Sequence, residues 1–520
     1  MEIKTVELSK FSEEMAQLKN NKHFDFLRNL TGEDWGEEGL GVVYQLENTD
    51  TYETINIKVV NPDRENPWIP TVTDLWKAAN FYEREVYDFY GIIFIGHPDM
   101  RRLYLRTDFK GFPFRKDYDM SPENNQWPTT EEPENDFTQT YQLDEDGKIQ
   151  RIEKRLFAED DYVVNIGPQH PATHGVMRYQ TCLDGEIIKK INVHAGYIHR
   201  GIEKINEGFT YQQTLALTDR LDYLSASMNR HALCMCVEKA MGLEISPRIQ
   251  YIRTIMDELQ RLASHLLFFA CTAQDLGALT AFIYGFRDRE KVQHVVEETT
   301  GGRLIQNYNR IGGVQADIDP NFVKDVKELC ADLKTRFKEY EDVFGNNVIF
   351  QKRAIGIGVV SKETAVSYGL SGGNGRAAGW SNDIRKHHPY ALYDQVDFDE
   401  IIYHNGDSYD RYRVRMDEMK QSIRIIEQLI DNIPEGPFME KVKPIIKVPE
   451  GTYYQAVEGS RGEFGVFLES KGDKFPYRLK YRSMGLPVVS AMDEVCRGLK
   501  IADLITISAT MDYVVPDIDR

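Results

Sequence analysis

The chain has 520 residues, a formal net charge of −19 at pH 7 and six cysteines. Its acidic balance argues against a nucleic-acid binder, which shows a basic face, and leaves no polybasic membrane anchor. No run approaches the roughly 18 apolar residues that a membrane helix needs, so the chain is expected to be soluble, or to meet a membrane only through partners.

The start, MEIKTVELSKFSEEM, is acidic and amphipathic and does not read as a signal peptide. LGVVYQLEN and ETINIKVV alternate apolar and polar residues, which predicts paired strands. Thr73–Tyr90 reads as one helix, capped by Thr73 or Asp74 and ended by Gly91. Its charges, Glu83, Arg84, Glu85 and Asp88, read as a solvated face. Ser121–Asp160 is rich in Pro, Asn, Thr and carboxylates and reads as a mobile linker between separately folding units at 1–120 and 161–520.

Val163–Met177, VVNIGPQHPATHGVM, places a stiff proline loop, Gly167–Gly175, between two strand-like runs. The loop holds His170 and His174. Their spacing matches metal ligands only on a helix, which Pro171 opposes. On the residues alone, the loop is either solvated surface or a functional site. The strand Val176–Leu183 then turns at Asp184-Gly185 and returns as Ile187–Val193.

Asp219–Met241, closed by Gly242, and Arg248–Leu276, after Ser246 and Pro247, read as long helices; the apolar stripe of the second is core. Arg261 and His265, one turn apart, read as a structural pair. The glycine-rich Ser371–Gly379 lacks the Gly-Lys-Ser/Thr ending and the preceding strand of a phosphate loop. Gly459–Arg482 reads as a small sheet. The cysteines (Cys182, Cys234, Cys236, Cys271, Cys330 and Cys496) form no C-x-x-C pair and read as reduced, mostly buried thiols of a cytosolic protein. The fold class expected is α+β.

A series of motifs in order adds a family resemblance. GPQHPATHGV, YIHRGIEK, TDRLDY, EKAMGLEISPRIQYIR, SHLLFFACTAQDLGALT, RIGGV, SRGEFG and the terminal DIDR resemble the D (49 kDa) subunit of bacterial respiratory NADH–quinone oxidoreductase, complex I. That family is similar in fold to the large subunit of nickel–iron hydrogenases. FYEREVYDFYGIIFIGHPDMRRL and FPFRKDY resemble the C (30 kDa) subunit of the same complex, and the two together imply a fused C/D chain. The resemblance implies a small α/β N-terminal domain, a polar linker, and a mainly helical hydrogenase-like domain with an N-terminal β-hairpin region and a small C-terminal sheet.

It also implies a peripheral-arm subunit of a proton-translocating enzyme on the cytoplasmic side of the bacterial inner membrane. Its partners would be the neighbour that carries the terminal iron–sulfur cluster and the membrane-arm subunits, and it would bind no cofactor or metal itself. With the cluster-bearing neighbour it would form a quinone-reduction chamber. Quinone reduction consumes two protons, so the chamber needs donors that can release them. The family's roles fall here on His174 and Tyr223, which would hold quinone, and on Asp275, which would fix the tautomer of His174 and raise its proton affinity. Arg220 would lie against the neighbouring cluster. Members of the family commonly carry a redox-linked histidine where Gly301–Gly313 has Ile305, followed here by Gln306. Its loss implies a low-potential cluster and makes menaquinone somewhat favoured over ubiquinone, unless another histidine such as His294 fills the space. Three alternatives stand beside this reading. One is a hydrogenase-like subunit, whose metal needs cysteine pairs where this chain has YIHRGIEK and DYVVPDIDR. The others are a subunit of a ferredoxin-dependent complex and a non-catalytic assembly scaffold.

Overall fold

The computed structural model describes residues 1–121, 136–170 and 175–520, and shows a mixed α+β chain. His174, in the proline loop, lies outside the described residues, as do residues 122–135 of the segment read as linker.

The N-terminal unit is a four-stranded sheet. Lys4–Thr5 lies parallel to Thr54–Asn61, which pairs antiparallel with Leu40–Glu47, and that strand with Phe26–Asp34. The helix Ala79–Tyr90 packs on Phe26–Asp34 and ends at Gly91, whose φ of 73° fits the left-handed cap that glycine favours. The helix starts at Ala79, not Thr73. Trp76 is fully buried and donates from Nε1 to the Phe24 carbonyl at 3.1 Å, while the Ala78 N–H donates to the Ser367 carbonyl at 2.9 Å. Tertiary contacts therefore take up the backbone that local propensity assigns to the helix.

The reading of its charges as solvated is also corrected: Glu83, Arg84, Glu85 and Asp88 are all buried. Glu83 accepts from Thr71 Oγ1 at 2.6 Å and the Val72 N–H at 2.9 Å. Arg84 donates to the carbonyls of Arg101 and Arg102. Asp88 Oδ2 gathers the N–H groups of Leu103, Tyr104 and Leu105. Glu85 pairs with Lys480 and Arg520 of the C-terminal unit. Alternating i, i+1 charges look solvated because nothing local announces their partners.

Within the segment read as linker, Phe137–Leu143 and Ile149–Arg155 form an antiparallel hairpin. It docks on the N-terminal unit, with the Met100 N–H on the Gln139 carbonyl, the Gly96 N–H on the Tyr141 carbonyl, and the Tyr141 ring buried. Its turn carries Asp146-Gly147 with Gly147 at φ 76°, a hairpin signal that the polar composition hides.

Tyr162–Ile166, Arg178–Asp184 and Ile187–His194 form a three-stranded antiparallel sheet that turns at Gly185 as expected. Long helices follow at Ala226–Met241, Pro247–Asp275, Leu279–Thr300, Phe322–Tyr340 and Ser408–Leu429. Residues 219–225 are turns and not the start of a helix, because the Asp222 side chain and carbonyl take the N–H groups of Leu224 and Ser225. The C-terminal sheet is Gly451–Gly459, Gly462–Ser470 and Arg478–Arg482, two antiparallel pairs. Among the described residues, no helix is long and apolar enough to cross a membrane.

The two units do not pack as separate bodies. One hydrophobic cluster runs from Phe11, Leu30 and Phe89 to Tyr179, Val488, Ile507 and Ile518.

Candidate functional site

Tyr223 sits on the turn that leads into Ala226–Met241, half-buried. Burial raises its phenol pKa first; Asp222 and the Cys271 thiol push the same way, while the Arg461 and Arg289 guanidinium groups oppose them. Asp275 is the last residue of Pro247–Asp275 and lies one turn beyond Cys271. Burial, then Asp275 and Asp512, pushes the Cys271 thiol up to about 11, again against Arg461 and Arg289. Cys271 thus acts on Tyr223 and is acted on by Asp275. Asp275 also acts on the buried Tyr513 phenol, which stands 2.8 Å from the Tyr179 hydroxyl. Tyr223 and Asp275 stand on separate elements, 52 residues apart by number.

The base of the proline loop reaches the same C-terminal segment. Gln169–His170 pairs antiparallel with Gly175–Val176, and a Cβ added to Gly175 would lie 2.5 Å from the Val515 side chain.

Arg220 is partly exposed and donates to the carbonyl of Ala216, one turn back. Its neighbour Asp219 is buried, and burial raises its carboxyl to about 6 against the opposing Arg230. Arg230 Nη1 lies 2.9 Å from Asp219.

In Gly301–Gly313, Ile305 is half-buried and Gln306 is buried. Gln306 Nε2 donates to Gln260 Oε1 at 2.6 Å, and Gln260 Nε2 to the Leu224 carbonyl at 2.8 Å, one residue beyond Tyr223. His294 is 66% exposed, its Nε2 3.4 Å from Glu298.

Arg261 and His265 do not pair with each other. Arg261 binds Glu258 and the carbonyls of Glu458 and Gly459, while His265 Nε2 stands 2.9 Å from Glu418. The same buried charge cluster explains the glycine-rich segment. Gly373–Ala377 is a short buried helix whose Arg376 pairs with Glu418 and Glu458. Gly372, at φ 68°, lets the backbone pass against Gly462, whose Cα would lie 2.4 Å from an added Cβ.

Residues without an assigned role also gather here. Arg461 belongs to the SRGEFG motif and Asp222 to TDRLDY, so the sequence carried their address but not their contacts. Asp512 and Arg289 gave no local signal. Among the described residues, no group of three or more His, Cys, Asp or Glu side chains is placed to hold a metal ion. Burial pushes the Cys234, Cys236 and Cys330 thiols up to about 12, which keeps them protonated near neutral pH.

Comparison with known proteins bears on both units. A family model described as respiratory-chain NADH dehydrogenase, 49 Kd subunit, matches residues 275–447 and 440–520, and one described as the 30 Kd subunit matches residues 4–124. The chain is 65% identical over 513 residues to the C/D subunit of NADH-quinone oxidoreductase from Phocaeicola vulgatus, covering 98% of both chains. It is 62% identical over 529 residues to the C/D subunit from Bacteroides thetaiotaomicron, covering 100% of both. It is 46% identical over 366 residues to the D subunit from Desulfotalea psychrophila, covering 70% of this chain and 98% of that one.

Proposed function

Because the chain belongs to the fused C/D subunits of NADH–quinone oxidoreductase, and so to the peripheral arm of respiratory complex I, we propose that its Tyr223–Asp275 end forms one wall of the quinone-reduction chamber. The cluster-bearing neighbour forms the other wall and supplies electrons one at a time. The membrane-arm subunits are partners at the cytoplasmic face of the membrane.

In this reading, Tyr223 donates a hydrogen bond to one quinone carbonyl. A phenol with a pKa raised above its reference of ~10 cannot protonate the oxidised quinone but can protonate its reduced dianion. His174 holds the second carbonyl, and Asp275 keeps that imidazole in its donating tautomer. Arg220 faces the neighbouring cluster, where a fixed cation favours the reduced state. Menaquinone is somewhat favoured over ubiquinone as acceptor, since Ile305 and Gln306 supply no proton to a reduced cluster and a low-potential cluster suits a low-potential quinone.

The observation that supports this reading is the electrostatic link through Cys271, whose thiol acts on Tyr223 and is acted on by Asp275, each from a separate element. The test is quinone reduction by the assembled complex with a short-chain quinone. Tyr223→Phe and His174→Ala are expected to lower turnover by about 100-fold, with upstream electron entry intact, and Asp275→Asn to shift the pH profile through His174. Near-normal turnover in both donor variants would refute the assignment.

A further inference from the structure

Ser460-Arg461 is the two-residue turn between the strands Gly451–Gly459 and Gly462–Ser470, and both residues are buried. From this tip the Arg461 guanidinium reaches three other elements. Nη1 donates to the two Asp222 carboxylate oxygens at 2.9 and 3.2 Å and to Ser264 Oγ at 3.2 Å. Nη2 lies 3.1 Å from Asp512 Oδ1. Asp512 holds a second cation through Oδ2, 3.2 Å from Arg415 Nε.

These partners connect to the proposed site in different ways. Asp222 precedes Tyr223, and its carbonyl ties the turn to the Asn229 side chain at 3.0 Å. Ser264 is on the helix that carries Cys271 and Asp275. Asp512 precedes Tyr513, on which Asp275 acts. A planar fork can serve two carboxylates and a hydroxyl in fixed directions at once, which a lysine ammonium cannot.

We propose that Arg461 is a positioning residue for quinone reduction, its guanidinium fixing the Tyr223 turn against the helix that ends at Asp275. It does not touch quinone; it acts through Asp222. The inference rests on the reading of Tyr223 as the quinone donor. Its charge adds to this: burial raises the Tyr223 phenol, and the Arg461 and Arg289 guanidinium groups oppose that rise, which favours the phenolate left when the phenol proton passes to reduced quinone.

The test uses the intact complex with Arg461→Lys, Tyr223→Phe and the double variant, measured for kcat and KM with a short-chain quinone, for upstream electron entry and for the amount of assembled complex. Arg461→Lys is expected to assemble with normal electron entry and to lose roughly 10- to 100-fold in kcat, with KM little changed, because a small misplacement of a donor costs turnover first. Added to Tyr223→Phe it is expected to lose little more, since both act on one donor. Unchanged kcat per assembled complex, or losses that multiply in the double variant, would overturn the proposal. If Arg461→Lys fails to assemble, Asp512→Asn, which loosens the same guanidinium from one side, decides: lowered kcat supports the proposal, and unchanged kcat overturns it. Full activity in Tyr223→Phe sinks the donor reading itself, whereas an impaired Tyr223→Phe beside a normal Arg461→Lys sinks this inference alone.

Discussion

Ile305 and Gln306 occupy a segment tied to the Tyr223 turn through Gln260 and Leu224, and neither side chain takes up a proton near neutral pH. His294 points its ring to the surface beside Glu298. A proton bound only by the reduced cluster would stabilise that state and make its potential pH-dependent; without one, the midpoint falls and the slope flattens. An EPR redox titration of the terminal cluster between about pH 6 and 8 is therefore expected to show a slope far below the ~59 mV per unit of one fully coupled proton at n = 1. Ile305→His is expected to raise the midpoint and steepen the slope. A steep slope in the unaltered complex would show that another group does this work, and would remove the basis for menaquinone. At this scale the sequence was legible for identity alone. It showed Ile305 and Gln306 as the residues at these positions, but not that Gln306 is buried against Gln260.

The helix Ala79–Tyr90 shows how an element can mislead in isolation. Burial, opposed by the Thr71 and Val72 hydrogen bonds, raises the Glu83 carboxyl to about 8. In the unfolded chain the same carboxyl titrates near its reference value of ~4.3. The folded state thus binds the extra proton between these values, and the stability it contributes is present at low pH and lost as pH rises toward about 8. Urea midpoints of the purified chain are expected to fall between about pH 5 and 8. Glu83→Gln, which keeps a carbonyl for the Val72 N–H, is expected to flatten that fall and to be the more stable protein at the upper end. An equal pH slope in both would sink the assignment. The helix's end was legible in Gly91, because a left-handed cap is a local requirement. Its start and the burial of Glu85 were not, because Ser367, Lys480 and Arg520, which meet them, lie hundreds of residues away. Glu83, Arg84 and Asp88 are buried by loop partners that no helical spacing announces.

Across the whole molecule, buried ion pairs join the N-terminal unit to the C-terminal sheet and tail. Glu85 meets Lys480 and Arg520, and Arg28 meets Glu463. Arg520 and Arg478 also share Glu203. Removing one member of such a pair leaves an uncompensated buried charge, so Glu85→Ala is expected to cost about 3–5 kcal/mol in urea unfolding of the full chain. A protease site inserted between 121 and 136 gives a second readout. The two fragments of the cut wild-type chain are expected to co-elute on size exclusion, and those of Glu85→Ala to separate. Separation of the wild-type fragments would show that the shared core does not hold the units together.

Where a requirement is local, the sequence by itself determined the outcome. The Asp184-Gly185 turn needs a residue that tolerates positive φ, Pro247 opens a helix because it gives up no needed N–H, and the missing cysteine pairs remove the ligands of nickel–iron chemistry. The ordered motifs likewise determined the family. What only the tertiary structure decided are the long-range pairings: the hairpin at 137–155 docked through Tyr141, and the reach of Arg461 to Asp222 and Asp512. A charged side chain reads the same in sequence whether water or a buried counter-ion satisfies it. Burial changes that cost by several kcal/mol, and burial is a property of the assembled fold.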